Sequence, residues 1–224
     1  MTHLFLAQFR TGFLVRSRWL CAAGLLIALS TGCSALRPAA VDQPYFYSLD
    51  AVRSDVPSSV RKPSPAAPTL IVNPPHSASG FSSQRIVYVR EAHQLEYYAH
   101  SEWIDSPARM LAPLIADTVG NSGAFRAVVR TPSAADGDLR LDTEIVHLQH
   151  ELTIRPSRVR FTLRATLVDN TTREVLAWHE FDESAPATSE TPYGGVLAAN
   201  QAVQTVLEQL AGWCAETAGR WKRP

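Results

Sequence analysis

Seven histidines and three cysteines are the residues of this 224-residue chain that could bind a metal or attack a substrate, and spacing decides what they can do. His147 and His150 lie three apart on a predicted strand, so they face opposite sides unless a bulge intervenes, and the seven-apart pair His93 and His100 is opposed in the same way. No cysteine pair or His-Glu-x-x-His element accompanies them, so no metal site is expected. There is no Gly-x-Ser-x-Gly elbow for a nucleophilic serine. Cys214 falls on the apolar stripe of a predicted helix, where a thiol is unreactive. Glu96, Glu102 and Asp105 have no evident acid/base partner. Gly194-Gly195 alone is no phosphate loop and reads better as a helix start. The sequence therefore favours neither an enzyme nor a cofactor, and other residue classes must carry the function.

One of those classes is at the N-terminus. Met1 to Arg18 holds Arg10, Arg16 and Arg18 and no acid, and Trp19 to Leu29 is an apolar run of 11 residues. The small residues Ser30, Thr31 and Gly32 precede Cys33. This is the basic, apolar and small-residue order of a secretory signal over residues 1–32, and the run is well short of the ~20 residues of a membrane-spanning helix. Leu-Ser-Thr-Gly-Cys-Ser resembles a bacterial lipobox, which implies lipidation of Cys33. Ser34, rather than Asp, after the cysteine implies by the same resemblance the outer membrane. Removing the signal leaves 18 basic against 21 acidic residues, a net charge of −3 that gives no support for a nucleic-acid partner. With Cys21 in the signal and Cys33 lipidated, Cys214 has no disulfide partner.

The elements follow from composition and periodicity. With 46% apolar and 19% charged residues the chain is not a disordered one, and its length suits one medium-sized domain. Residues 33–43 read as a lipidated tether, 44–218 as a single domain interrupted by a Pro-rich loop at 54–68, and 219–224 as a basic tail. Strands are predicted at 44–49, 69–73, 85–90, 95–99 and 125–130. Leu139 to Leu152 alternates with a phase slip at Ile145-Val146, which predicts a bulge. Val159, Phe161, Leu163, Ala165 and Leu167 alternate with Arg158, Arg160, Thr162, Arg164 and Thr166. With Glu174 to Phe181 these segments make a meander of three long strands. Ser106 and Pro107 open a helix that Gly120 can end. A second helix carries Val196, Ala199, Val203, Val206, Leu207, Leu210 and Cys214 on one stripe. The fold class is α+β: a mainly antiparallel sheet with two amphipathic helices packed on one face.

Two groups of residues are candidates for partner binding. Tyr97 and Tyr98, adjacent on a strand, must face opposite sides, and Trp103 just beyond them is a candidate interface anchor. Arg158, Arg160 and Arg164 share the open face of the sheet. They either pair with carboxylates of neighbouring strands, such as Asp142 and Glu144, or meet an acidic surface on a partner or a second copy.

Tyr45-Phe-Tyr-Ser-Leu49, Arg85-Ile-Val-Tyr88, Leu95-Glu-Tyr-Tyr-Ala-His-Ser-Glu-Trp103, Pro107-Ala-Arg-Met-Leu, Gly123-Ala-Phe-Arg-Ala-Val128 and Leu139-Arg-Leu-Asp occur in an order that resembles the ABC-type transport auxiliary lipoproteins (the PqiC-like family). The resemblance spans about Pro44 to Trp213. It departs at the Pro-rich loop and at Phe81-Ser-Ser-Gln84, where an Asp-Arg-Pro-type element is absent. It implies an outer-membrane, periplasm-facing lipoprotein without cofactor or catalytic residues, partner to an MCE-domain lipid carrier and its inner-membrane ABC permease. A lipoprotein adaptor that regulates cell-wall synthesis or envelope assembly is the alternative.

Overall fold

Alternation of apolar and polar residues over Leu139–Asp169 sets the architecture, because a strand with that period can bury only one face. The structure is a computed structural model, and it describes residues 43–50 and 64–223. The signal, Cys33, most of the tether and the first part of the Pro-rich loop lie outside the described residues. The described elements run β1 (Tyr45–Tyr47), β2 (Thr69–Val72), β3 (His76–Ser77), β4 (Arg85–Val89), β5 (Glu96–Trp103), α1 (Pro107–Asn121), β6 (Ala127–Arg130), β7 (Leu139–Glu151), β8 (Arg158–Asp169), β9 (Val175–Pro186) and α2 (Pro192–Arg220). The fold is α+β, as expected, built on one large sheet.

The longest ladders, β7 with β8 and β8 with β9, are antiparallel, as is β4 with β5. The parallel contribution goes beyond the sequence reading. β2, β3 and β4 pair parallel with successive stretches of β7, β6 pairs parallel with β2, and β1 pairs parallel with β5. Alternation reports which side of a strand is buried and carries no information on the direction of its neighbour. The bulge falls where the phase slips: the β7–β8 register shifts between Ile145 and His147. Inward positions therefore change from Leu139, Leu141 and Ile145 to Leu148 and His150.

The inward residues Phe161, Leu163 and Leu167 of β8 are fully buried beneath the stripe of α2, where Val203, Val206, Leu207, Leu210 and Cys214 are likewise buried. Burying a Leu or Phe side chain in this way stabilises the fold by roughly 1.5–3 kcal/mol each. α2 lies over β8 and β9, and α1 packs against α2 and β6. Among the described residues no helix is long and apolar enough to cross a membrane.

Several boundaries differ from the sequence reading. Ser106 occupies the cap position of α1 without a side-chain capping bond. Gly120 lies inside α1, and the left-handed residue after it is Gly123, with φ 69°. Phe125 precedes β6 and is buried in the core. α2 starts before the glycine pair, with the Thr191 hydroxyl accepting from the Gly194 N–H. Its last turn includes Arg220, Trp221 Nε1 donates to Asp169 at 2.8 Å, and Arg223 pairs with Asp138 at 2.8 Å.

Candidate interaction surface

The outer face of β7–β9, turned away from the helices, carries the arginines. Arg160 holds Asp182 with two hydrogen bonds, Nε to Oδ1 at 2.8 Å and Nη2 to Oδ2 at 2.9 Å. The Thr162 hydroxyl donates to the same carboxylate at 2.6 Å. The hydrogen bonds from Arg160 are the main reason that Asp182 is held below the usual carboxylate range. Arg164 lies between Glu144 at 2.9 Å and Glu180 at 2.8 Å, and Arg158 pairs with Glu151 at 2.8 Å. Asp142, expected to join this set, pairs with Arg140 instead. The three arginines thus face four carboxylates, and the side of the sheet on which they lie is not a basic one. Of the two readings of these arginines, pairing with neighbouring strands describes the geometry.

β5 presents its two tyrosines to opposite sides, as the strand period requires. Tyr97 is 37% exposed, with the Arg85 guanidinium 5.0 Å from its ring centroid. Tyr98 is half-buried, its ring 4.5 Å from that of Tyr88, and burial pushes its hydroxyl pKa up to about 12. Trp103 corrects the sequence reading. It is only 3% exposed and belongs to the core. It is the last residue of β5 rather than a residue beyond it, and β1 adds a strand outside β5 with Tyr47 in register with Trp103. A side chain enclosed in this way cannot anchor a partner on the folded domain.

A polar trio that sequence reasoning missed lies behind Tyr98. The Tyr98 hydroxyl is 2.9 Å from His150 Nδ1, and His150 Nε2 is 3.0 Å from the Ser157 hydroxyl. His150 and Ser157 are each 2% exposed, and burial holds the imidazole below its ordinary pKa. Tyr98 and His150 are 52 residues apart, and no spacing signal joins them. A hydroxyl, an imidazole and a second hydroxyl in a row have the parts of a nucleophile relay. Here the start of α2 closes over them, since Gly195 lies against the His150 ring. The trio serves as a pin that ties β5, β7 and the β7–β8 connection together.

Above the pin, Glu96 accepts from the Tyr88 hydroxyl at 2.9 Å and from Arg90, and the bond from Arg90 is the chief cause of its lowered pKa. His147 points away from His150 and approaches the Thr162 hydroxyl at 3.2 Å. Among the described residues no three His, Cys, Asp or Glu side chains are grouped to hold a metal ion. Cys214 is fully buried, and desolvation pushes its thiol pKa up to about 12.

With this geometry in place, the chain can be set beside known proteins. The family model for the ABC-type transport auxiliary lipoprotein component matches residues 47–211, nearly the whole described domain. The chain belongs to that family. No curated protein matches it in sequence. A crystal structure of a Xanthomonas campestris protein of family DUF330 is similar at 24% identity and TM-score 0.63, covering 71% of this chain and 92% of that one. A second solved structure, of an uncharacterised protein, is similar at 10% identity and TM-score 0.59, covering 77% of this chain and 99% of that one. These likenesses bear on the fold. The family is that of an auxiliary lipoprotein component of ABC-type transport.

Proposed function

We propose that this protein is an outer-membrane lipoprotein, held by lipid on Cys33, that docks an MCE-domain carrier and its inner-membrane ABC permease and has no catalytic step of its own. Family membership over residues 47–211 is the observation that carries this reading. Gly32-Cys33 and the preceding signal supply the anchor. The buried state of the Cys214 thiol and of the Ser157 hydroxyl agrees with a docking role, since neither can meet a substrate.

Two measurements test the proposal separately. Fractionation of cells expressing wild type and Cys33→Ala should place the wild type in the outer membrane and release the variant or leave it as precursor. Outer-membrane partitioning of both forms alike overturns the anchor. In-cell cross-linking of the lipoprotein followed by affinity purification should recover an MCE-domain protein encoded beside it. Recovery of a cell-wall synthase complex with no MCE-domain protein overturns the transport assignment.

A further inference from the structure

The sheet ends in a long strand with one side unoccupied. Among the described residues β9 pairs only with β8, so the other edge of its 12 residues carries no backbone partner. The other outer strands, β1 and β6, have three and four residues. An unpaired edge is a template for another strand, and natural sheets normally blunt it with brevity, lysines or proline. Here Pro186 stands at the far end, the register with β8 shifts at Leu176 near the start, and the charges between them are acidic with no lysine.

β9 is also held rigidly. Phe181 and Ala185 are buried on the helix side, and the Phe181 ring meets Trp213 of α2 edge-on at 6.1 Å. The opposite side carries Trp178, Glu180 and Asp182 at alternate positions, in register with Thr166, Arg164 and Thr162 of β8. Trp178 is 65% exposed. An exposed tryptophan beside a free edge is the kind of residue that anchors a binding hot spot.

Charge narrows the partner. From Glu174 to Pro186 there are four acids, Glu174, Glu180, Asp182 and Glu183, and no lysine or arginine. Asp182 is satisfied by Arg160, but Glu180 shares Arg164 with Glu144. Glu183 accepts from Gln209, a neutral amide. A strand laid along this edge therefore meets Glu180 and Asp182 on one side and Glu183 on the other, three acids against Arg160 and Arg164 of β8, and cross-strand pairs favour the opposite charge.

We propose that the free edge of β9 docks an extended basic segment of a partner protein by strand addition, with an apolar side chain against Trp178 and basic ones beside Glu180 and Asp182. Main-chain hydrogen bonds would supply affinity, and alternate side chains the selectivity. The inference rests on the sheet alone and is independent of the transport reading.

The test uses the full chain in nonionic detergent and a fluorescein-labelled peptide, Val-Thr-Val-Thr-Lys-Thr-Lys-Thr, followed by anisotropy. Saturable binding that weakens with salt is expected. It should fall about tenfold or more when glutamate replaces lysine in the peptide, and as far with Trp178→Ser. N-methylation of alternate peptide residues, which removes strand donors, should abolish it. Because Trp178 is exposed, the variant should keep the wild-type melting temperature, so a loss of binding is not a loss of fold. Absence of binding, equal binding of lysine and glutamate peptides, indifference to N-methylation, or indifference to Trp178→Ser each overturns the proposal. So does light scattering that shows the protein self-associating through Trp178 without peptide, because a second copy would then occupy the edge.

Discussion

Gly195 and His150 are in contact so close that a Cβ on residue 195 would lie 2.7 Å from the imidazole Nδ1. The first turn of α2 can rest on β7 only because residue 195 has no side chain. The same contact covers the Tyr98–His150–Ser157 pin from above.

Gly195→Ala should therefore destabilise the protein, although alanine is ordinarily the better helix former. The clash is with a buried ring that is bonded at both nitrogens and cannot swing aside, which places the cost at roughly 1–3 kcal/mol. Urea unfolding followed by circular dichroism checks this. Gly212→Ala, where a new Cβ has no neighbour within 4 Å, should be neutral or slightly stabilising.

The pin also predicts a pH dependence. His150 is held neutral by burial, and the carboxylate of Glu190 opposes this only weakly. Its folded pKa lies below the ordinary value of about 6.5, so the unfolded chain binds the proton more readily. Stability should be full above that pH and should decline as pH falls below it. His147 is shifted the same way, chiefly by desolvation, and adds to the decline. Denaturation midpoints at pH 7.5 and 5.5 should differ in wild type and differ less in His150→Gln. An equal difference in both would remove His150 as the cause.

Trp103→Ala should behave as a core truncation. Emptying the space of a side chain that is 3% exposed is expected to cost about 3–5 kcal/mol, against nearly nothing for a surface tryptophan. A melting temperature close to wild type would return Trp103 to the surface.

The outer-face ion pairs should be unequal. Asp182→Ala leaves Arg160 and the Thr162 hydroxyl without their shared acceptor. It should cost about 1 kcal/mol, a moderate figure because both charged partners are partly exposed. The contribution of Asp182 is present above the ordinary carboxylate pKa and fades as pH falls through its lowered folded value. Arg164→Ser, which removes two exposed pairs, with Glu144 and Glu180, should leave the midpoint close to wild type. Thermal melts across a salt series would separate the two.

Much of the sheet was legible because alternation is a local signal. The β7–β9 meander, the bulge at Ile145 and the stripe of α2 are all written in consecutive residues. The parallel partners of β7 were not, since β2 and β4 reach it from about 60 to 70 residues upstream and nothing in their own composition names that neighbour. The pairing of Arg164 with Glu144 was legible from strand phase, while Asp142 belongs to Arg140 because two residues on one side of the same strand lie closer. Trp103 was misread because its surroundings in the core include Gly195 and Ala199 of α2, about 90 residues later in the sequence. The Tyr98–His150–Ser157 pin left no trace in the sequence, because its members come together only once β5, β7 and α2 are all in place.

The position of β7 has a consequence for the order in which the chain can become structured. One edge of β7 is taken by β8, which follows directly, and the other by β2, β3 and β4 in turn. Hairpins close quickly, whereas pairings across long loops must first overcome the entropy of closing them. The earlier strands therefore leave the ribosome long before their common neighbour exists. A fragment ending before Leu139 should remain unstructured, whereas the meander and α2 contain their own mutual partners. Assembly thus runs against the direction of synthesis: the C-terminal half offers the edge on which the N-terminal half is completed.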